Sequence, residues 1–83
     1  MNYFHVYFSQ GGEEMEAIMK FTLKELRARK NKTQIEVAKD LGISYQTYNA
    51  WEQDLSNVGI SKVYALAKYY GVTIEEIEWR RTA

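Results

Sequence analysis

The apolar positions of this chain follow two different periods. Phe4, Val6 and Phe8 alternate with Tyr3, His5 and Tyr7, which is the two-residue repeat of a strand, and Gly11-Gly12 then breaks the pattern. From Thr22 onward the spacing is helical. Thr22 stands three residues ahead of Glu25, so hydroxyl and carboxylate can close the first turn of a helix that carries Leu23 and Leu26 inward. Thr33 and Glu36 repeat that arrangement. Val37, Ala38 and Leu41 then share one face, and Gly42 suits the left-handed backbone that ends a helix. Ile43 falls inside a tight turn, and Ser44 caps a third helix from about Tyr45 to Gln53, with Tyr48, Trp51 and Leu55 as its packing stripe.

Beyond a polar loop from Leu55 to Gly59, Val63, Leu66, Ala67 and Tyr70 mark the inner face of a fourth helix over 60–70, with Gly71 at its end. Thr73-Ile-Glu-Glu76 is a third hydroxyl–carboxylate pair and predicts a fifth helix through about Arg80. Val72 enters the core; Ile74 and Ile77 belong to the core or to a subunit contact. Trp79 is either an interface residue or folds back over the bundle. The expected fold class is all-α.

The third helix has a second, unlike face. Gln46, Asn49, Ala50 and Gln53 lie at i, i+3, i+4 and i+7, giving a flat, uncharged, amide-bearing surface. A merely solvated face more often carries Lys and Glu. An amide both donates and accepts, so Gln or Asn in a major groove can pair with adenine N6 and N7 together.

Charge sharpens this picture. Eleven Lys and Arg balance eleven Asp and Glu, yet residues 20–32 hold six bases against the single acid Glu25, and residues 1–19 hold three acids and no Lys or Arg. A locally basic surface is what phosphate binding needs. Lys24 and Arg29 read as solvated helix surface. Lys30 and Lys32 precede the second helix, where the helix N-terminus, the Thr33 hydroxyl and the Gln34 amide also favour an anion. Ser56 and Lys62 are further candidates for the DNA backbone.

Other chemistries find little material. The 83 residues contain no Cys and one His, so there is no thiolate metal site, no metal-binding cluster and no catalytic triad. Glu75, Glu76 and Glu78 read as helix-start and surface charge, and His5 as an incidental strand residue. No apolar run reaches membrane-spanning length. A cytoplasmic, cofactor-free, non-enzymatic protein is expected.

Residues 1–19 look foreign to residues 20–83, the expected DNA-binding domain. A strand at Tyr3–Phe8 has no expected partner in its own chain. It therefore pairs with its copy in a second subunit, lies against the helices, or does not belong to the natural product. Gly-Gly-Glu-Glu can be encoded by a ribosome-binding sequence, with Met15 and Met19 as starts downstream of it. A disordered extension is the remaining expectation for this segment.

The run from Thr33 to Glu52 resembles the helix-turn-helix of the Cro-repressor (XRE) family. The resemblance rests on Gln34 opening the second helix, Ala38 and Gly42 four apart, Ile43-Ser44 in the turn, and Trp51-Glu52 near the end of the third helix. It covers about Phe21 to Ile77. It implies a compact five-helix, lambda-repressor-like fold acting as a homodimer on a pseudo-palindromic operator, with recognition helices about 34 Å apart. It also implies base contacts from Tyr45, Gln46, Thr47, Asn49 and Ala50, and phosphate contacts from Lys32, Thr33, Gln34 and Ser44. Arg27 and Glu52 would form an ion pair bracing the first helix against the third. Three positions depart from the family pattern: Tyr48 replaces an aliphatic residue, Asp54 a common Gly, and the following loop lacks Pro. The alternative reading is an antitoxin or protein-interaction module, with Phe4, Val6, Phe8 and Trp79 facing the partner.

Overall fold

The computed structural model describes residues 19–80 in full and the backbone of 6–10 and 13–17. Strand β1 (Val6–Gln10) pairs antiparallel with β2 (Glu13–Ala17), with Val6 opposite Ala17 and Phe8 opposite Met15. The expectation of a strand without a partner in its own chain is thus corrected. Gly11-Gly12, read as a strand terminator, is also the residue pair that favours a two-residue hairpin, and the Glu-rich run beyond it hides its strand character because Glu is depleted in strands. Tyr3, Phe4 and His5 lie outside the described residues.

Four α-helices follow among the described residues, and the first three begin at the side-chain caps the sequence predicts, while α4 starts after Gly59 with no side-chain cap. Helix α1 (Leu23–Lys30) starts with the Thr22 N–H donating to Glu25 Oε1 at 2.9 Å and the Glu25 N–H to Thr22 Oγ1 at 3.1 Å. Helix α2 (Gln34–Leu41) has the same reciprocal pair between Thr33 and Glu36, at 2.8 and 3.1 Å. Gly42 ends it at φ +72°, a backbone that strains any residue with a Cβ. Asn31, at φ 59°, does the same for α1, an ending the sequence reading did not place. Helix α3 (Tyr45–Gln53) is capped by Ser44, whose hydroxyl accepts from the Thr47 N–H at 3.0 Å. Helix α4 (Ile60–Tyr70) ends at Gly71.

The fifth helix differs from expectation. Only Ile74–Glu76 is helical, as one 3₁₀ turn. The Glu76 carboxylate does reach back to Thr73, accepting from its N–H at 2.9 Å and its hydroxyl at 3.2 Å. Then the chain straightens. The Phe21 N–H donates to the Glu76 carbonyl and the Glu78 N–H to the Phe21 carbonyl, each at 2.8 Å, making a parallel bridge between Phe21 and Ile77. Leu55 N–H donates to the Trp79 carbonyl at 3.2 Å. The distant segments before α1 and after α3 therefore satisfy backbone groups that a continuing helix would have paired locally.

The core collects Leu23, Leu26, Val37, Ala38, Tyr48, Leu55, Val63, Leu66, Ala67 and Ile77 from every helix and the C-terminal segment. Trp51, Val72, Ile74 and Trp79 pack around it, partly buried, so Trp79 does fold back over the bundle. Tyr48 is wholly buried, and its hydroxyl is partnered by that of Tyr70 at 2.7 Å. No helix among the described residues is long and apolar enough to cross a membrane.

Ile77 is fully buried in the segment that replaces the fifth helix. Ile77→Ala should cost about 2–5 kcal/mol, a large share of a small domain's stability. Urea unfolding checks this. A loss below 1 kcal/mol would mean that the segment does not close the core.

Candidate nucleic-acid interface

The site is built outward from Glu52 in the last turn of α3. Its side chain is only 6% exposed, so an isolated carboxylate there would be costly. Arg27 of α1 meets it, Nε to Oε2 at 2.5 Å and Nη2 to Oε1 at 3.3 Å, and its remaining Nη1 donates to the Lys32 carbonyl at 3.1 Å. Gln34, the first residue of α2, adds Nε2 to Glu52 Oε1 at 2.8 Å. One carboxylate thereby joins three helices and the loop between two of them. Burial pushes the Glu52 carboxyl up, but the hydrogen bond from Arg27, helped by Tyr48 and Gln34, outweighs it and leaves the group below its usual range.

With α3 held this way, its amide face turns outward. Tyr45, Gln46, Thr47, Ala50 and Gln53 are exposed, and Asn49 is partly buried. Asn49 Oδ1 accepts from Gln34 Nε2 at 3.1 Å, so this candidate base-reading residue is tethered to α2. Thr47 Oγ1 accepts from the Ser44 hydroxyl at 2.9 Å.

The residues expected to hold phosphate divide into two groups. Gln34 has both amide hydrogens committed to Asn49 and Glu52. The Ser44 hydroxyl donates to Thr47 Oγ1, and both the hydroxyl and the N–H of Ser56 donate to Asp54 Oδ1, at 2.6 and 2.9 Å. As folded, these three offer no side-chain donor to an anion. Asp54 also brings negative charge to that loop. Thr33 accepts from the Glu36 N–H and keeps its own hydroxyl proton. Lys62 is exposed on the first turn of α4.

Lys32 is intermediate. Its Nζ lies 2.6 Å from Asp40 Oδ2, and the Tyr69 hydroxyl donates to the same oxygen at 2.6 Å. This pairing raises the Lys32 ammonium's pKa and lowers that of the Asp40 carboxyl. Lys30 sits over the Tyr69 ring at 4.9 Å and Arg29 over Phe21 at 4.9 Å, so two cations of the basic run cover aromatic rings. Asp40 and Tyr69 escaped the sequence reading, because no helical spacing connects 32, 40 and 69. An open cleft of about 590 Å³ runs along the start of α2, lined by Arg27, Lys32, Thr33, Gln34, Ile35 and Tyr45 among others. Exposed Ile35 adds an apolar element the sequence reading did not place there. No cluster of three or more His, Cys, Asp or Glu suited to a metal occurs among the described residues.

Comparison with known proteins fits this arrangement. The family HTH_3, described as helix-turn-helix, matches residues 23–77. An uncharacterized HTH-type transcriptional regulator of Methanocaldococcus jannaschii is 42% identical over 59 residues, 71% of this chain and 89% of that protein. The cryptic phage CTXphi transcriptional repressor RstR, from Vibrio cholerae, is 36% identical over 55 residues, 66% of this chain and 50% of the repressor. An uncharacterized HTH-type transcriptional regulator of Archaeoglobus fulgidus is 34% identical over 59 residues, 71% of this chain and 83% of that protein. No solved structure matches significantly.

Arg27→Ala strips Glu52 of its counter-charge and should destabilise the fold by about 3 kcal/mol, the lower end for breaking a buried pair. Thermal melting reads this directly; an unchanged melt would remove the bracing role. The acid limb supplies a separate check. Because the Glu52 carboxyl titrates below its usual 4.5 in the fold, its stabilising contribution is complete above that value and is lost as pH falls through the lower one. Glu52→Gln should therefore be less stable at neutral pH but lose less between pH 5 and 3, about the carboxylate range. Parallel acid limbs would refute this.

Proposed function

The chain belongs to the HTH_3 helix-turn-helix family, of XRE type, and is a DNA-binding transcription regulator; from that premise we propose that it is a repressor, binding as a homodimer to a pseudo-palindromic operator. The observation that carries this reading is the outward, uncharged face of α3, held by the Arg27–Glu52 pair beside the cleft at the start of α2. Gln46, Asn49 and Ala50, with Tyr45 and Thr47 at the helix start, face base edges in the major groove. Lys32, Thr33 and Lys62 approach phosphates. Ile60 and Tyr64, 61% and 55% exposed on α4, supply apolar surface for a second copy. Repression follows from occupancy, because bound protein excludes polymerase from an overlapping promoter. Such a protein, a repressor of bacterial or phage type, works in the cytoplasm, needs no cofactor, and has residues 20–83 as its DNA-binding unit.

Selection from a random double-stranded DNA pool at near-physiological salt should enrich a two-fold symmetric motif. If folded protein enriches no motif, the sequence-reading proposal fails, and an antitoxin-like protein partner becomes the reading to pursue. At the selected site, Gln46→Ala should cost about 1–3 kcal/mol and relax preference at one position. Asp40→Asn should act in the opposite direction and without sequence preference. By releasing Lys32 it should tighten binding to every DNA and steepen the salt dependence, whereas Lys32→Ala should flatten it, the two variants differing by about one phosphate contact. Equal salt slopes in all three proteins would exclude Lys32 from the phosphate set.

A further inference from the structure

The hydrogen bonds of Gln34 constrain what Asn49 is able to read. A carboxamide is planar, with its oxygen and its NH₂ on opposite prongs. Asn49 Oδ1 is turned toward α2, where it accepts from Gln34 Nε2 at 3.1 Å. Gln34 cannot rotate away at no cost, since its other amide hydrogen is held by Glu52 Oε1 at 2.8 Å, a bond strengthened by the carboxylate charge. Glu52 is in turn fixed by Arg27. The chain Arg27–Glu52–Gln34–Asn49 thus runs from the first helix to the recognition face, and each link has its donor and acceptor assigned.

On the reading that α3 enters a major groove, we propose that Gln34 is a positioning residue for base readout: it leaves Asn49 to present its NH₂, so Asn49 selects guanine. The groove edge of guanine carries two neighbouring acceptors, N7 and O6, and no donor. An outward NH₂ meets both without conflict. Adenine places its N6 amino group beside N7, so the same NH₂ would face a donor, and the two-pronged pairing of a free Asn with adenine is lost with Oδ1 engaged elsewhere. This revises the expectation for Asn49 from its amide chemistry alone. It also replaces the phosphate role of Gln34 with one that acts through Asn49.

The test is operator selection by the wild-type chain, Asn49→Ala and Gln34→Met, followed by affinities for every single-base change of the selected site at several salt concentrations. Asn49→Ala identifies the base pair under Asn49, which should be G·C with guanine toward α3. Gln34→Met keeps length and removes the hydrogen bonds. It should relax that same position by about fivefold or more, leaving preference elsewhere and the salt slope intact. Adenine under Asn49 overturns the proposal, and that result needs no folded Gln34 variant. A uniform loss for all sequences with a shallower salt slope also overturns it, because Gln34 is then a phosphate anchor. A wild-type chain that selects no sequence fails earlier, and takes down the DNA-reading premise as well.

Discussion

Glu52 is the constraint on which the interface depends. The first three helices have eight, eight and nine residues, too short to persist alone, so their arrangement is set by tertiary contact. Apolar packing of Leu26, Val37 and Tyr48 holds them together without a preferred rotation, because hydrophobic burial is non-directional. The Arg27–Glu52 pair and its Gln34 branch are directional. They fix how α3 is turned about its own axis, and that rotation decides whether Gln46, Asn49 and Ala50 face outward together. A buried ion pair is often no more stabilising than well-packed apolar residues of the same volume. What it adds here is orientation.

The rest of the polar surface is largely self-engaged. Ser44 closes its own helix, Ser56 its own loop, Lys32 leans on Asp40, and Arg29 and Lys30 lie over rings. A net charge of zero is consistent with this economy. Since cations that neutralise phosphates give binding its sequence-independent part, the proposed DNA reader, with several of them engaged internally, is expected to attract arbitrary DNA less strongly. On the proposed reading, discrimination then rests more heavily on base contacts from α3. Low background affinity also benefits a small regulator, because competing non-specific sites vastly outnumber an operator.

Helix starts and stops were legible in the sequence because their causes are local. Thr22 with Glu25, Thr33 with Glu36, Ser44, Gly42 and Gly71 each act within four residues, and each does in the fold what its chemistry implies. The misreadings share the opposite origin. Thr73 with Glu76 signals a helix start correctly, but Phe21, more than fifty residues earlier, draws the following backbone into a bridge. The partner of β1 lay behind a glycine pair that reads equally as an end or a turn. In the site, Arg27 with Glu52 was reachable through the family pattern, whereas Asp40 with Lys32 and Tyr69 joins three segments that no periodicity relates. Which atoms Gln34 holds depends on how α2 and α3 cross, and composition carries no trace of that.

Tyr48 connects the core to the interface. Resemblance to the family leads one to expect an aliphatic side chain at this position, and a tyrosine brings a hydroxyl into a wholly buried site where it must find a partner. It finds Tyr70 at the end of α4, and it adds to the forces that keep Glu52 ionised. Burial pushes the Tyr70 hydroxyl up to about 12, and Tyr48 higher still, so both stay neutral through the range in which proteins work. The only member of this network whose charge changes in ordinary acid is therefore Glu52. Substituting an aliphatic residue for Tyr48 would leave Tyr70 without its partner and Glu52 with one polar neighbour fewer. The polar thread from α4 through Tyr48 to Glu52 thus brings packing at the far end of the domain to bear on the carboxylate that orients the recognition face.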